Sequence, residues 1–177
     1  MKRLLLLRHA KAETPDANSR DEARALAKRG REDAALIGAV MWRKHYLPDR
    51  ILCSTAARTT ETWVLLGPEL HIAADAQFLG SLYLATAKAI LKIVKATDAQ
   101  AKSVLVIGHN PGLEECAADL MRTPKNAEER RRAAMLAVKF PTCALAVLDF
   151  DVQHWNELAG GTGALIDFIQ PKDCKAN

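Results

Sequence analysis

Two arginines and two histidines stand where apolar runs stop abruptly. Arg8-His9 ends the run Leu4–Leu7, His109 follows Val104–Ile107 and Gly108, and Arg58 lies just beyond Ile51-Leu52-Cys53-Ser54. What these residues share is the ability to handle an anion. Arginine presents a planar, permanently charged fork that matches phosphate oxygens bidentately. The local context adds to this. Ser54 or Thr55 is a plausible N-cap, which puts Arg58 in a first helical turn. Asn110 is a plausible N-cap with Pro111 at the first helical position, where its missing N–H costs nothing. Helix N-termini present free N–H groups and partial positive charge, and so attract phosphate. Ser54 and Asn110 therefore join Arg8, Arg58 and His109 as candidate phosphate-binding residues.

These positions need elements that bring them together. Arg3–Arg8 reads as a short, continuously apolar strand of the kind buried on both faces of a parallel sheet, and Arg50–Cys53 and Ser103–Ile107 read the same way. A polar loop spans Lys11 to about Ser19. Apolar residues from Asp21 to Arg43 recur at near-helical spacing, with Gly30 expected to split that stretch in two. Further helices are expected over Ala56–Leu66, stopped by Gly67-Pro68, over Thr86–Ala96, and after Gly108–Gly112. A short extended piece is expected near His71–Ala74. Ala144–Phe150, His154–Leu158 and Leu165–Ile169 read as successive strands, with Gly160–Gly163 as the last turn. Strands alternating with helices, then a strand-rich end, argue for a three-layer α/β/α sandwich with a mostly parallel sheet. Ligands of such sheets bind beyond the C-terminal ends of the strands, and each candidate group lies there.

The chain of 177 residues is long enough for one domain with a substantial core, and no linker or repeat divides it. About half the residues are apolar and a quarter charged, which argues against disorder. No apolar run approaches the ~20 residues of a membrane span, so a cytoplasmic protein without membrane contact is expected. Cys53, Cys116, Cys143 and Cys174 lie far apart without a CxxC pair, which suits reduced structural thiols rather than a metal site. The net charge of +4 suits anionic ligands. The run Glu128-Glu129-Arg130-Arg131-Arg132 reads as a solvated helical face with i,i+3 and i,i+4 pairing, not a nucleic-acid patch.

The segment Leu6-Leu7-Arg8-His9-Ala10-Lys11 resembles the signature of the histidine phosphatase superfamily, in its small phosphohistidine phosphatase branch. Ser54-Thr55-Ala56-Ala57-Arg58-Thr59-Thr60-Glu61-Thr62 resembles that family's second motif, and Gly108-His109-Asn110-Pro111-Gly112 its third. The three matches occur in order and span most of the chain. The resemblance implies a phosphoglycerate mutase-like fold and a covalent phosphohistidine intermediate. It makes His9 the nucleophile and has Arg8, Arg58 and His109 hold the phosphoryl group. It implies no cofactor and no metal, since the arginines supply positive charge. The implied substrate is a phosphorylated molecule, above all a phosphohistidine protein, and a monomer or weak dimer is expected.

This chain departs from the family pattern in two places. Ala10 stands where the best-known signature has Gly, a small intrusion that should leave the pocket intact. Family members acting on phosphate esters use a carboxylic acid to protonate the leaving group, and Gly80–Ala85, where one is expected, contains none. An alkoxide needs that acid. Imidazole, with a pKa of ~6.5, departs far more easily and can leave neutral, so the missing acid suits a phosphoramidate substrate. His9 must be unprotonated to attack, a protonated His109 is expected beside the arginines, and the second nitrogen of His9 should donate to a backbone carbonyl. Other candidates have plainer roles. Glu114 and Glu115 are expected at a helix N-terminus from the dipole alone. Glu13 and Asp16 are weaker acid candidates, and Lys11 is either an anion guide or simply exposed. Tyr83 and Trp63 suit core or pocket wall, while His45, His71 and His154 belong to no motif. The rival readings are a small-molecule ester phosphatase or mutase, which needs an acid, and a phospholigand-binding regulator without turnover.

Overall fold

The apolar runs pair into one six-stranded sheet in the computed structural model, which describes residues 1–175. Its strands are β1 (Lys2–Arg8), β2 (Arg50–Ser54), β3 (Ala76–Leu79), β4 (Ser103–Gly108), β5 (Leu145–Phe150) and β6 (Ala164–Ile169), in the spatial order β3-β2-β4-β1-β5-β6. The β3-β2, β2-β4 and β4-β1 pairs are parallel, and only β5 runs against its neighbours. The helices are α1 (Lys28–Arg43), α2 (Ala57–Leu66), α3 (Ala87–Lys95), α4 (Gly112–Leu120), α5 (Ala127–Val138) and the one-turn α6 (Pro171–Cys174).

The period of two in a strand explains the layering. Leu5 and Leu7 of β1, with Ile51, Leu105 and Ile107, pack against Ile37 and Met41 of α1 and Leu66 of α2. Leu4 and Leu6, with Leu52, Val104 and Val106, pack against Ile90 of α3, Leu113 and Leu120 of α4, and Leu136 of α5. All four leucines of β1 are fully buried, and each contributes ~1.5–3 kcal/mol of apolar burial. The sheet is covered on both sides, giving the expected three-layer, mostly parallel sandwich.

Four local expectations are corrected. Asp21 does not begin a long helix. It opens a 3₁₀ turn (Asp21–Ala23), and the chain then runs extended to Ala27 before α1 starts. Backbone pairing with the loop after His9 competes with helix here: Glu13 N–H donates to the Ala25 carbonyl, and Ala27 N–H to that of Lys11. Gly30 therefore lies in the first turn of α1 and does not divide it. A Cβ there would stand 2.1 Å from the Lys11 carbonyl oxygen, so glycine is what lets this loop lie on the helix. The strand expected at His71–Ala74 forms later, as β3. His154–Leu158 is not a strand but encloses a 3₁₀ turn (Trp155–Glu157), whose Trp155 is buried and donates Nε1–H to the Ala101 carbonyl at 2.9 Å. The run Glu128–Arg132 lies on α5, where Arg132 pairs with Glu128 one turn away and Glu129 pairs with Arg122.

Candidate active site

Register brings the motifs together. Leu7 of β1 lies opposite Ile107 of β4, and Ile107 lies opposite Cys53 of β2. The next residues, Arg8, Gly108 and Ser54, end three adjacent parallel strands in one row, so His9, His109 and the Ser54–Arg58 turn emerge side by side. Their backbones are tied down. His9 N–H donates to the Gly108 carbonyl (3.1 Å), and Cys143 N–H lies against the carbonyls of Arg8 (3.1 Å) and His9 (3.0 Å).

The two imidazoles stand with ring centroids 5.3 Å apart. His9 is buried, and its Nδ1 donates to the Ala10 carbonyl at 2.8 Å, the bond expected from the sequence. A carbonyl can only accept, so Nδ1 carries the proton and Nε2 keeps its lone pair. Burial pushes the His9 pKa down to about 3, and the nearby His109, Arg58 and Arg8 lower it further against the opposing Ala10 bond. His109 Nε2 is hydrogen-bonded to the Ser54 hydroxyl at 2.8 Å, and its Nδ1 has no partner among the described residues. Burial, then Arg58, pushes His109 down to about 4. The protonated His109 expected from the sequence is thus disfavoured, because burial and the adjacent Arg58 lower its pKa.

Arg58 is in the first turn of α2, as expected, and is only 2 % exposed. Ser54 and Thr55 do not cap that helix. Ala56 occupies the N-cap and has no side-chain acceptor, while the Ser54 hydroxyl is engaged with His109 and accepts only a long bond, 3.5 Å, from Ala56 N–H. Nor does Asn110 cap α4. Pro111 holds that place, and Asn110 Nδ2 donates sideways to Glu114 (2.8 Å) and to the Phe140 carbonyl (3.1 Å). Arg8 Nη1 donates to the same carbonyl at 2.8 Å. Arg8 Nε, Arg58 Nε, Arg24 Nε and His109 Nδ1 are buried without a partner among the described residues. Unpaired buried guanidinium donors are costly, so the arginine Nε groups around His109 mark the place where an acceptor ligand would sit.

The roles of Asp21 and Arg24 are absent from the sequence reading, whereas Tyr83 is expected there as core or pocket wall. Arg58 Nη1 donates to the Asp21 carbonyl (2.7 Å) and Nη2 to its carboxylate (2.9 Å). Tyr83 Oη donates to that carboxylate at 2.7 Å, with its ring edge-on to His109 at 5.4 Å, so Tyr83 is a pocket wall. Arg24 also reaches Asp21, at 3.1 Å. The Thr62 hydroxyl donates to the Arg58 carbonyl and accepts from Ala10 N–H, joining the first motif to the second. Ala10 itself is fully buried in the core on the α1 side, which explains why its methyl is tolerated. Of the carboxylates weighed from sequence, only Glu114 meets a candidate site residue through its side chain. Glu13, Asp16 and Glu115 are exposed, and Glu114 is bonded to Asn110. His45, His71 and His154 are exposed. Among the described residues, no three His, Cys, Asp or Glu side chains gather as a metal site.

No protein-family model matches the chain. An uncharacterized protein of Mycobacterium tuberculosis is 33% identical over 171 residues, covering 94% of this chain and 100% of its own. Among solved structures, a candidate phosphohistidine phosphatase SixA from Agrobacterium tumefaciens superposes with a TM-score of 0.79 at 32% identity, over 96% of this chain and 98% of its own. A candidate SixA from Nakamurella multipartitia gives 0.79 at 30% identity, over 96% of each chain.

Proposed function

Since the chain belongs to the histidine phosphatase superfamily, in its SixA-type branch and with the phosphoglycerate mutase-like fold, we propose that it is a metal-independent phosphohistidine phosphatase acting through phospho-His9. One observation carries this reading. His9 donates its Nδ1 proton to Ala10, which leaves the Nε2 lone pair free beside arginine and histidine nitrogens that lack partners.

The chemistry follows from that tautomer. Nε2 of neutral His9 attacks phosphorus in line, and the bond from phosphorus to the substrate imidazole breaks. Arg8, Arg58 and His109 stabilise the charge on the equatorial oxygens, with His109 taking up a proton as the phosphoryl dianion arrives. Phosphorylated on Nε2 and still protonated on Nδ1, His9 is cationic and a good leaving group. Water attacks it, phosphate departs, and neutral His9 is restored with its Ala10 bond intact. A substrate phosphoimidazole that carries a proton on its other ring nitrogen departs as neutral imidazole, so no carboxylic acid is needed, and cytoplasmic phosphohistidine proteins suit this chemistry better than sugar or glycerate phosphates. Asp21 touches Arg58, but the bonds from Tyr83 and Arg58 lower its pKa, which suits an anion rather than a proton donor.

The test is to incubate the purified protein, in excess chelator, with a phosphohistidine protein and with a panel of sugar and glycerate phosphates. The expected result is phosphate release from phosphohistidine with an acid-labile phosphoenzyme that turns over. Release only from alkyl esters, or activity that requires a divalent ion, would overturn the proposal.

A further inference from the structure

We infer that Asp21 is a positioning residue and built-in counter-anion, which presents Arg58 to the ligand and keeps product phosphate from binding too tightly. The inference rests on the phosphatase reading above. Arg58 is buried, and both its terminal nitrogens donate to one residue: Nη1 to the Asp21 carbonyl and Nη2 to its carboxylate. Nε, buried and without a partner among the described residues, and one further N–H on each terminal nitrogen are left for a ligand. Asp21 therefore selects which edge of the guanidinium faces the pocket.

The same carboxylate accepts from Tyr83 and pairs with Arg24, while the Tyr83 ring lies against His109 and its centroid is 5.8 Å from Arg58 Cζ. One exposed aspartate thus joins the three side chains that wall the pocket on that side. It also places a negative charge beside a site built for a phosphoryl dianion, which works against binding. A pocket holding Arg8, Arg24 and Arg58 without such a charge would grip inorganic phosphate and stall turnover. Differential binding requires that the transition state, not the product, be held tightest. Asp21 is half exposed on a single 3₁₀ turn, so its charge can be removed without opening the core.

The test compares wild type with Asp21→Asn and Asp21→Glu, reading inhibition by inorganic phosphate together with kcat and KM on an aryl phosphate. Asparagine keeps an acceptor for Tyr83 and Arg58 but lacks the charge. It should tighten phosphate inhibition on the order of 10-fold, the scale of one half-exposed unit charge acting on an anion a few ångströms away under nearly water-like screening, and lower kcat. Glutamate restores the charge and should return phosphate inhibition to within ~3-fold of wild type. Unchanged or weaker phosphate inhibition in a folded Asp21→Asn protein would overturn the inference, as would Asp21→Glu behaving like Asp21→Asn. If wild type itself neither binds phosphate nor cleaves the aryl ester, the phosphatase reading fails, and this inference with it.

Discussion

At the scale of single residues, charge is distributed so that one imidazole stays neutral amid cations. Burial above all, and then His109, Arg58 and Arg8, oppose protonation of His9, and its bond to Ala10 fixes which nitrogen attacks. These four side chains are legible in the sequence because each lies in a motif at the end of an apolar run. Asp21, Arg24 and Tyr83 are not legible as partners. Asp21 and Arg24 read as successive turns of an amphipathic helix, and only the tertiary bonds to Arg58 and to the loop after His9 show otherwise. The expectation about the acid can now be tested with named residues. If the leaving imidazole departs unaided, converting Glu13, Asp16, Glu114 or Glu115 singly to the amide should change phosphohistidine turnover only a few-fold. His9→Ala should abolish it. A general acid contributes ~10²–10⁴-fold, so a loss of that size in any amide variant that folds normally would reveal a hidden acid. Aryl phosphates should react measurably and alkyl phosphates poorly.

At the scale of elements, the site depends on how closely helices approach strand ends. The strands β1, β2 and β4 were readable as apolar runs, and the row of Arg8, Ser54 and Gly108 at their ends follows once the pairing is known. Where loops trade backbone hydrogen bonds, local pattern misleads. Residues 24–27 carry a helical spacing but pair with the loop after His9, and His154–Leu158 looks strand-like until Trp155 is seen to be anchored on Ala101. Gly112 shows the constraint most sharply. It opens α4, and a Cβ there would lie 1.8 Å from the Ala85 carbonyl oxygen, backbone against backbone. Gly112→Ala must therefore shift α4 or the Leu84–Thr86 segment, and His109 lies only three residues before it. The expected outcome is a stability loss of ~1–3 kcal/mol, typical of overpacking. Displacement of His109 should lower kcat/KM by up to ~10²-fold. Gly80→Ala is the control, since its new Cβ would meet only the Thr55 hydroxyl, at 3.9 Å. Its stability should change by less than ~0.5 kcal/mol in the same denaturation experiment.

At the scale of the whole molecule, a pocket that keeps two buried imidazoles neutral ties folding to pH. His9 is held to about 3 and His109 to about 4, whereas an unfolded histidine titrates near ~6.5. The sign follows from proton counts. Above ~6.5 neither state binds these protons, and folding is indifferent to them. As pH falls below that value the unfolded chain takes up protons that the native pocket refuses, so the unfolded state binds more and native stability declines. The decline continues until the native imidazoles also protonate, near 4 and then 3. Carboxylates held low, such as Asp21, add their own loss in the same direction, but only at lower pH, as native and unfolded carboxyl groups titrate. The interval from about pH 6.5 down to about pH 5 therefore isolates the histidines. Thermal denaturation across it should show Tm falling steadily, with each 1 kcal/mol lost lowering Tm by about 2–4 °C for a chain of this size. His9→Asn and His109→Gln should each flatten that slope, because neither amide titrates. A wild-type Tm constant across the interval would mean that the imidazoles are not held neutral, and the proposed readiness of His9 to attack would lose its physical basis.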